Sequence, residues 1–114
     1  MNWINLTDIS QLADIDRLSY DKPQWIYKHS TRCIVSKIAL RKLESSNLLS
    51  QQPGFFLDLI KYRNVSNTIE DHYEITHESP QILIIKKGKC IFSESHMAID
   101  PGEMMQLLQQ DSHT

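Results

Sequence analysis

The fold of this chain is decided by the stretch KHSTRCIVS, residues 28–36. It follows the apolar run WIY, residues 25–27, which fits a buried strand, and its second half opens a helical pattern. A thiol where a strand passes into a helix, such as Cys33, lies among unpaired backbone N–H groups at the positive end of the helix. That setting favours the thiolate, which is the nucleophilic form of cysteine. Cys33 is therefore the candidate catalytic residue.

The neighbours of Cys33 supply positive charge and hydroxyl groups. Arg32 is adjacent, and His29 and Lys28 lie at the end of the predicted strand, so the local charge is positive and also favours the thiolate. The hydroxyls of Thr31 and Ser36 can cap the helix or donate to the sulfur. We therefore predict a thiolate-stabilising set of four residues: His29, Arg32, Thr31 and Ser36.

Ser36 stands three positions after Cys33, where a dithiol redox motif would carry its second cysteine. The pattern therefore predicts a redox site with a single cysteine. The one other cysteine, Cys90, has the apolar neighbours Ile91 and Phe92, which indicate a buried structural residue rather than a resolving partner. The sequence leaves open whether Cys90 can reach Cys33.

Metal and hydrolytic chemistry find little support in the sequence. His72, His77 and His96 are scattered, and no pair has a recognisable zinc spacing with the cysteines, so we expect no metal site. A cysteine protease would need a histidine oriented against Cys33 and an oxyanion hole, and no signature of such a family surrounds Cys33.

Length and composition predict a single domain, residues 1–114, with 40% hydrophobic residues available for a core. The net charge of -2 and the pI near 6.2 give no reason to expect nucleic acid or an anionic membrane as a partner. The first residues, MNWIN, lack the basic region and apolar run of a signal peptide. No apolar stretch approaches the roughly 20 residues of a spanning helix. We therefore expect the protein in the cytoplasm.

Helical periodicity predicts four helices. Thr7 caps the first helix, residues 33–46 form the second, and Asn64 or Ser66 caps the short third one. The last begins with Asp100 as the cap and Pro101 at the first helical position. The predicted buried faces of the first three helices are Ile9, Leu12, Ile15 and Leu18, then Val35, Ile38, Ala39 and Leu43, then Val65, Ile69 and Tyr73.

Short apolar runs predict four strands, at residues 24–28, 55–60, 81–85 and 90–93. The last two are joined by a hairpin turn around Gly88. Right-handed crossovers for the first three strands and a hairpin for the fourth predict an α/β fold with a four-stranded mixed sheet and helices on both faces. This is the thioredoxin-like plan with one extra N-terminal helix.

Several segments also match a known family: KHSTRC at 28–33, Ser36, LDL at 57–59, the stretch from Tyr62-Arg63 to Ser66-Asn67, HESPQ at 77–81 and Ser95-His96. They resemble the bacillithiol-system redox-active proteins, bacterial proteins that are also called monothiol bacilliredoxins and have a thioredoxin-like fold. The resemblance extends from Trp3 to about Ile99. Proline commonly follows the active cysteine in that family, whereas this chain has Ile34.

The resemblance implies removal of bacillithiol, a low-molecular-weight thiol, from mixed disulfides on cytosolic client proteins. Cys33 would be the attacking thiol and Ser79-Pro80 the substrate-side loop, with a cis-proline beside the active cysteine as in other thioredoxin-like folds. The small thiol would be a co-substrate, no other cofactor would be needed, and the partners would be S-thiolated proteins.

The sequence therefore predicts a monothiol thiol–disulfide oxidoreductase, an enzyme that acts through Cys33. Three alternatives remain open. A monothiol glutaredoxin-like carrier would use Cys33 and an external thiol to hold an iron–sulfur cluster. A thioredoxin-like interaction module would bind partners without thiol chemistry. An arsenate-reductase-like enzyme would need an anion nest around Cys33, for which Arg32 alone is thin support.

Overall fold

The computed structural model describes residues 2–110, whose five strands form one mixed sheet in the order β1-β3-β2-β4-β5. Met1 and residues 111–114, which the single-domain prediction also includes, lie outside the described residues. The strands are β1 Trp3–Asn5, β2 Gln24–His29, β3 Gly54–Asp58, β4 Gln81–Lys86 and β5 Lys89–Ser95. The α/β fold with a mixed sheet is confirmed, and the predicted strand count of four is corrected to five.

The additional strand, β1, pairs in parallel with β3 at one edge of the sheet. It is only three residues long and two of them are exposed, so it carries too little periodicity to be predicted from sequence. Contacts from distant parts of the chain hold it: the Trp3 indole N–H donates to the Glu44 carboxylate at 2.9 Å, and its ring packs on that of Trp25. The extra N-terminal helix that the sequence predicts lies between β1 and β2 in the chain.

The helices are α1 Gln11–Leu18, α2 Ile34–Ser45, α3 Leu48–Gln51, α4 Arg63–Tyr73 and α5 Pro101–Gln110, with a 3-10 turn at His96–Ala98. They cover both faces of the sheet, as predicted. Strand residues alternate between these faces, so Ile26 packs with α1 and α4, while Trp25 and Tyr27 pack with α2, α3 and α5.

Two predicted helix faces are corrected. Ile9 precedes the first turn of α1 and is 42% exposed, and Leu18, at the end of α1, is 41% exposed. On α2, Ile38 is 42% exposed because the buried stripe consists of Ser36, Ala39 and Leu43. The short length of α1 and the polar residue inside the stripe of α2 explain why apolar spacing alone misplaced these residues.

Two local predictions for the other helices are confirmed. Val65, Ile69 and Tyr73 share the buried face of α4. Asp100 caps α5, because its carboxylate accepts the Gly102 N–H at 3.0 Å. The caps predicted for α1 and α4 are wrong, since Ser10 and Tyr62 occupy those positions without a side-chain cap hydrogen bond.

The direction of β4 also differs from the prediction. β4 runs antiparallel to β2, with Gln81 opposite Lys28, whereas a right-handed crossover would have made it parallel. The loop after α4 returns to the end of the sheet that contains the C-termini of β2 and β3, and β4 starts there. The two-residue turn at Lys87 and Gly88, both with positive φ, then joins β4 to β5 as the predicted hairpin.

Candidate active site

Cys33 occupies the N-cap position of α2, just beyond the end of β2. Its backbone is extended, with φ -117 and ψ 123, so the chain turns from the strand direction into the helix at this residue. The Cys33 N–H donates to the Ser30 carbonyl at 3.2 Å, which closes the connecting turn. The thiol is partly exposed and free. The sequence therefore places an accessible sulfur at the N-terminus of a helix.

The first turn of α2 lowers the pKa of the Cys33 thiol below its ordinary value. The largest cause is the backbone N–H of Ser36, and the N–H of Val35 and the Ser36 hydroxyl act in the same direction against a smaller desolvation effect. The neutral thiol makes no regular cap hydrogen bond, so these donors favour specifically the thiolate. This is the arrangement that activates a cysteine as a nucleophile.

Ser36 is fully buried beneath the thiol, and its partners fix its position. Its hydroxyl oxygen accepts the Ser30 N–H at 3.3 Å, which leaves the hydroxyl proton available for the sulfur of Cys33. Its backbone carbonyl accepts the Tyr27 hydroxyl at 2.7 Å. Ser36 is thus attached to both the connecting turn and the central strand.

His29 lies buried at the end of β2, with its Nδ1 3.1 Å from the Tyr27 hydroxyl oxygen. Burial lowers its pKa, so the ring is neutral at pH 7. Thr31 and Arg32 are exposed, and Arg32 contacts the connecting turn through its N–H, which donates to the Ser30 hydroxyl. The groups that lower the pKa of Cys33 belong to residues 35 and 36, so a part for His29, Thr31 and Arg32 in stabilising the thiolate stays a prediction.

The Ser79-Pro80 peptide bond is cis, as predicted, and lies in the loop between α4 and β4. The next residue, Gln81, pairs with Lys28 near the C-terminal end of β2. The loop is therefore at the end of the sheet from which the chain continues to Cys33. Pro80 is buried, and its carbonyl accepts the His96 N–H at 3.0 Å. The Ser79 hydroxyl oxygen is buried and has no hydrogen-bond partner among residues 2–110.

Cys90 is half-buried in β5, and its thiol donates to the Phe92 carbonyl at 3.3 Å. Burial raises the pKa of this thiol, in contrast to Cys33. Cys90 pairs with Ile85, and Ile85 pairs with Gln24 at the start of β2. It therefore lies at the end of the sheet remote from Cys33. A structural role for Cys90 stays a prediction, and the side chain is half-buried rather than fully buried.

Sequence reasoning missed a partly buried polar cluster next to the loop. It joins Lys28 on β2, a residue predicted to add positive charge near Cys33, to His77 in the loop and Gln81 at the start of β4. The Lys28 ammonium lies 2.6 Å from Nδ1 of His77 and 3.2 Å from the Gln81 side-chain oxygen. The available signal was a lysine directly after the apolar run WIY, followed later by the polar run HESPQ. Their association requires the antiparallel pairing of β2 with β4, which the sequence analysis did not predict.

In the part of the chain from 2 to 110, no group of three or more histidine, cysteine or acidic residues is arranged to hold a metal ion. Within the same residues, no helix is both long and apolar enough to cross a membrane.

Comparison with known proteins agrees with this geometry. The family model described as Monothiol bacilliredoxin BrxC matches residues 4–104 of the chain. The chain belongs to the monothiol bacilliredoxin family. The match includes Cys33, Ser36 and the Ser79-Pro80 loop, so the residues that form the site all lie within the part shared with other monothiol bacilliredoxins.

Solved structures show that this bacilliredoxin has the thioredoxin fold. A protein described as having a thioredoxin fold is 24% identical, with a TM-score of 0.81 and 92% of each chain covered. Thioredoxin from Malassezia sympodialis is 15% identical, with a TM-score of 0.71 over 98% of this chain and 91% of that one. Mitochondrial thioredoxin 3 from Saccharomyces cerevisiae is 14% identical, with a TM-score of 0.69 over 93% and 92%.

Proposed function

We propose that this bacilliredoxin is a monothiol thiol–disulfide oxidoreductase that removes a low-molecular-weight thiol, bacillithiol or a similar compound, from mixed disulfides on proteins. The observation that supports this proposal is the partly exposed Cys33 thiol, whose pKa is lowered by the first turn of α2. The family match supports the redox role, and bacillithiol as the small thiol comes from the resemblance in sequence.

The first step is an exchange between a thiolate and a disulfide. The Cys33 thiolate attacks the sulfur of the small thiol in the client's mixed disulfide. A new bond forms between Cys33 Sγ and that sulfur, the old sulfur–sulfur bond breaks, and the client leaves as a thiolate that takes a proton from solvent. The Ser36 and Val35 donors stabilise Cys33 as the thiolate before attack. The client is reduced, and Cys33 carries the small thiol.

The second step restores the enzyme with an external thiolate, because Cys90 lies at the other end of the sheet. A second molecule of the small thiol, as the thiolate, attacks the sulfur of the small thiol that is bound to Cys33. The products are the symmetric disulfide of the small thiol and the Cys33 thiolate, so the free second molecule of the small thiol is the reductant of the whole cycle. The same helix donors make Cys33 a good leaving group in this step.

The Ser79-Pro80 loop is proposed to receive the incoming disulfide, since it lies at the same end of the sheet as Cys33. The partners are then S-thiolated client proteins and the small thiol, which acts as a co-substrate. This chemistry requires a compartment that keeps the small thiol reduced, and we propose the cytoplasm.

The test uses a client protein with one cysteine blocked by bacillithiol, incubated with reduced enzyme and followed by mass spectrometry. We expect release of the client thiol with transfer of the bacillithiol mass to Cys33, and we expect the Cys33→Ser variant to transfer nothing. A wild-type enzyme that leaves the client blocked would refute the proposal. Retained binding of the client by Cys33→Ser, with no transfer by the wild type, would favour the interaction module. A visible absorbance band after anaerobic purification would favour the iron–sulfur carrier.

A further inference from the structure

Lys28 is fully buried on the central strand of the sheet, although a lysine ammonium is normally solvated. It donates to Nδ1 of His77 at 2.6 Å and to the side-chain oxygen of Gln81 at 3.2 Å. Both partners belong to the segment 77–81, which contains Ser79 and Pro80. A single cation thus contacts the substrate-side loop at two points.

Both partners of Lys28 also hold the loop in other ways. Gln81 makes two hydrogen bonds within the loop. Its side-chain amide N–H donates to the Thr76 carbonyl at 3.1 Å, and its side-chain oxygen accepts the Glu78 N–H at 3.4 Å. The His77 backbone N–H donates to the Glu70 carboxylate on α4 at 2.6 Å. Loss of the Lys28 ammonium would therefore loosen the loop at both of these anchors.

The opposite side of the loop is attached to the end of β5. The Ser95 hydroxyl donates to the Glu78 carboxylate, and the Pro80 carbonyl accepts the His96 N–H. Between these attachments the buried Ser79 hydroxyl has no hydrogen-bond partner within the described residues. The loop is therefore held on both sides, while its own buried hydroxyl is left unpaired.

Packing alone does not account for a lysine at this position. Burial lowers the pKa of Lys28 to about 8, against the opposing effects of Glu70 and Glu78, so the charged form is disfavoured by its surroundings. An apolar side chain would fill the same space without this desolvation cost. The directional hydrogen bonds to the loop are what the ammonium supplies and an apolar residue would not.

We propose that Lys28 is a positioning residue for thiol–disulfide exchange at Cys33, acting through His77 and Gln81 to hold the Ser79-Pro80 loop in the geometry that receives a protein disulfide. This inference rests on the proposed function for its effect on turnover. The claim that Lys28 holds the loop in a fixed conformation does not depend on that function.

The test compares Lys28→Met with the wild type and with Lys89→Met, which removes the same charge from an exposed site on β5. Three quantities are measured: kcat/KM for the S-thiolated client, the pH profile of Cys33 alkylation by iodoacetamide, and hydrogen exchange of the backbone N–H groups of residues 76–79. We expect kcat/KM to fall by between about tenfold and 100-fold in Lys28→Met, in line with the cost of misplacing a bound substrate. Exchange in the loop should accelerate, while the alkylation profile should not change.

A second variant covers the case in which Lys28→Met does not fold. The double variant Lys28→Met with His77→Leu replaces the buried lysine and its half-buried partner by apolar residues, and such replacements of buried charged groups are often tolerated. A folded variant with wild-type kcat/KM and wild-type loop exchange would overturn the inference. A shifted alkylation profile would also overturn it, because Lys28 would then act on the thiolate itself. If the wild type fails to reduce the client, the proposed function fails, and the loop exchange alone decides the role of Lys28.

Discussion

Cys33 and Cys90 lie at opposite ends of the sheet. Cys90 pairs with Ile85, which in turn pairs with Gln24, the first residue of β2. Cys33 lies beyond the last residue of that strand, in the turn that leads to α2. A strand rises about 3.3 Å per residue, so the length of β2 alone separates the two thiols by more than ~15 Å. A disulfide requires Cα atoms within about 7 Å. In this fold Cys90 is therefore too far away to form a disulfide with Cys33.

We predict that Cys90→Ser turns over the S-thiolated client at the wild-type rate, because Cys90 cannot approach the mixed disulfide on Cys33. Turnover measured at several concentrations of the small thiol should show the same dependence in both proteins. Oxidation of the wild type should produce no intramolecular disulfide by mass spectrometry. A slower second step in Cys90→Ser would show that the sheet opens far enough for Cys90 to act as a resolving thiol.

The two thiols should separate clearly in their pH dependence of alkylation. Only the thiolate reacts, so the lowered pKa of Cys33 keeps it reactive at pH values where an ordinary thiol is protonated. The raised pKa of Cys90 delays its reaction to higher pH than usual. Iodoacetamide labelling across a pH series, followed by peptide mass spectrometry, measures both midpoints. In denaturant the two midpoints should converge near the unperturbed value of about 8.5.

Ser36→Ala should raise the pKa of Cys33, because it removes the hydroxyl donor while the backbone N–H groups of residues 35 and 36 remain. The midpoint of the alkylation profile measures this shift. The substitution also leaves the Ser30 N–H without its acceptor, at a cost of about 1–2 kcal/mol in the free energy of unfolding.

Thr31→Ala and Arg32→Gln are the matched variants for that experiment, since both side chains are exposed beside the thiol. A shift in their alkylation midpoints would support the stabilising role that the sequence predicts for them. Midpoints equal to that of the wild type would exclude a part for Thr31 and Arg32 in stabilising the thiolate.

Gly54→Ala should destabilise the protein strongly. A Cβ atom at Gly54 would lie 2.4 Å from the indole ring of Trp25, which is fully buried, so one of the two must shift. Overpacking of this kind costs about 1–3 kcal/mol in the free energy of unfolding. Urea denaturation measures the loss. Gly102→Ala is the control, because its nearest new contact is the exposed Asp100 carboxylate at 3.3 Å, and we expect a change within about 0.5 kcal/mol.

Local features of the chain were predictable because they depend on neighbours in sequence. The thiol of Cys33 at a helix start, the cap at Asp100 and the buried face of α4 all follow from residues within one or two helical turns. Features that depend on distant pairing were missed or misplaced. β1 is held by the contacts of Trp3 with Glu44 and Trp25, and no pattern within its own residues indicates a strand.

By itself, the sequence determined the α/β class, the family and the candidate thiol at a helix start, because helix initiation and thiol chemistry are set by nearby backbone and side-chain groups. Only the tertiary structure decided that Cys90 lies remote from Cys33 and that Lys28 meets His77. Both relationships depend on the register and direction of strand pairing between segments far apart in the chain. That pairing is selected by the packing of the whole sheet between its two layers of helices, which local periodicity does not describe.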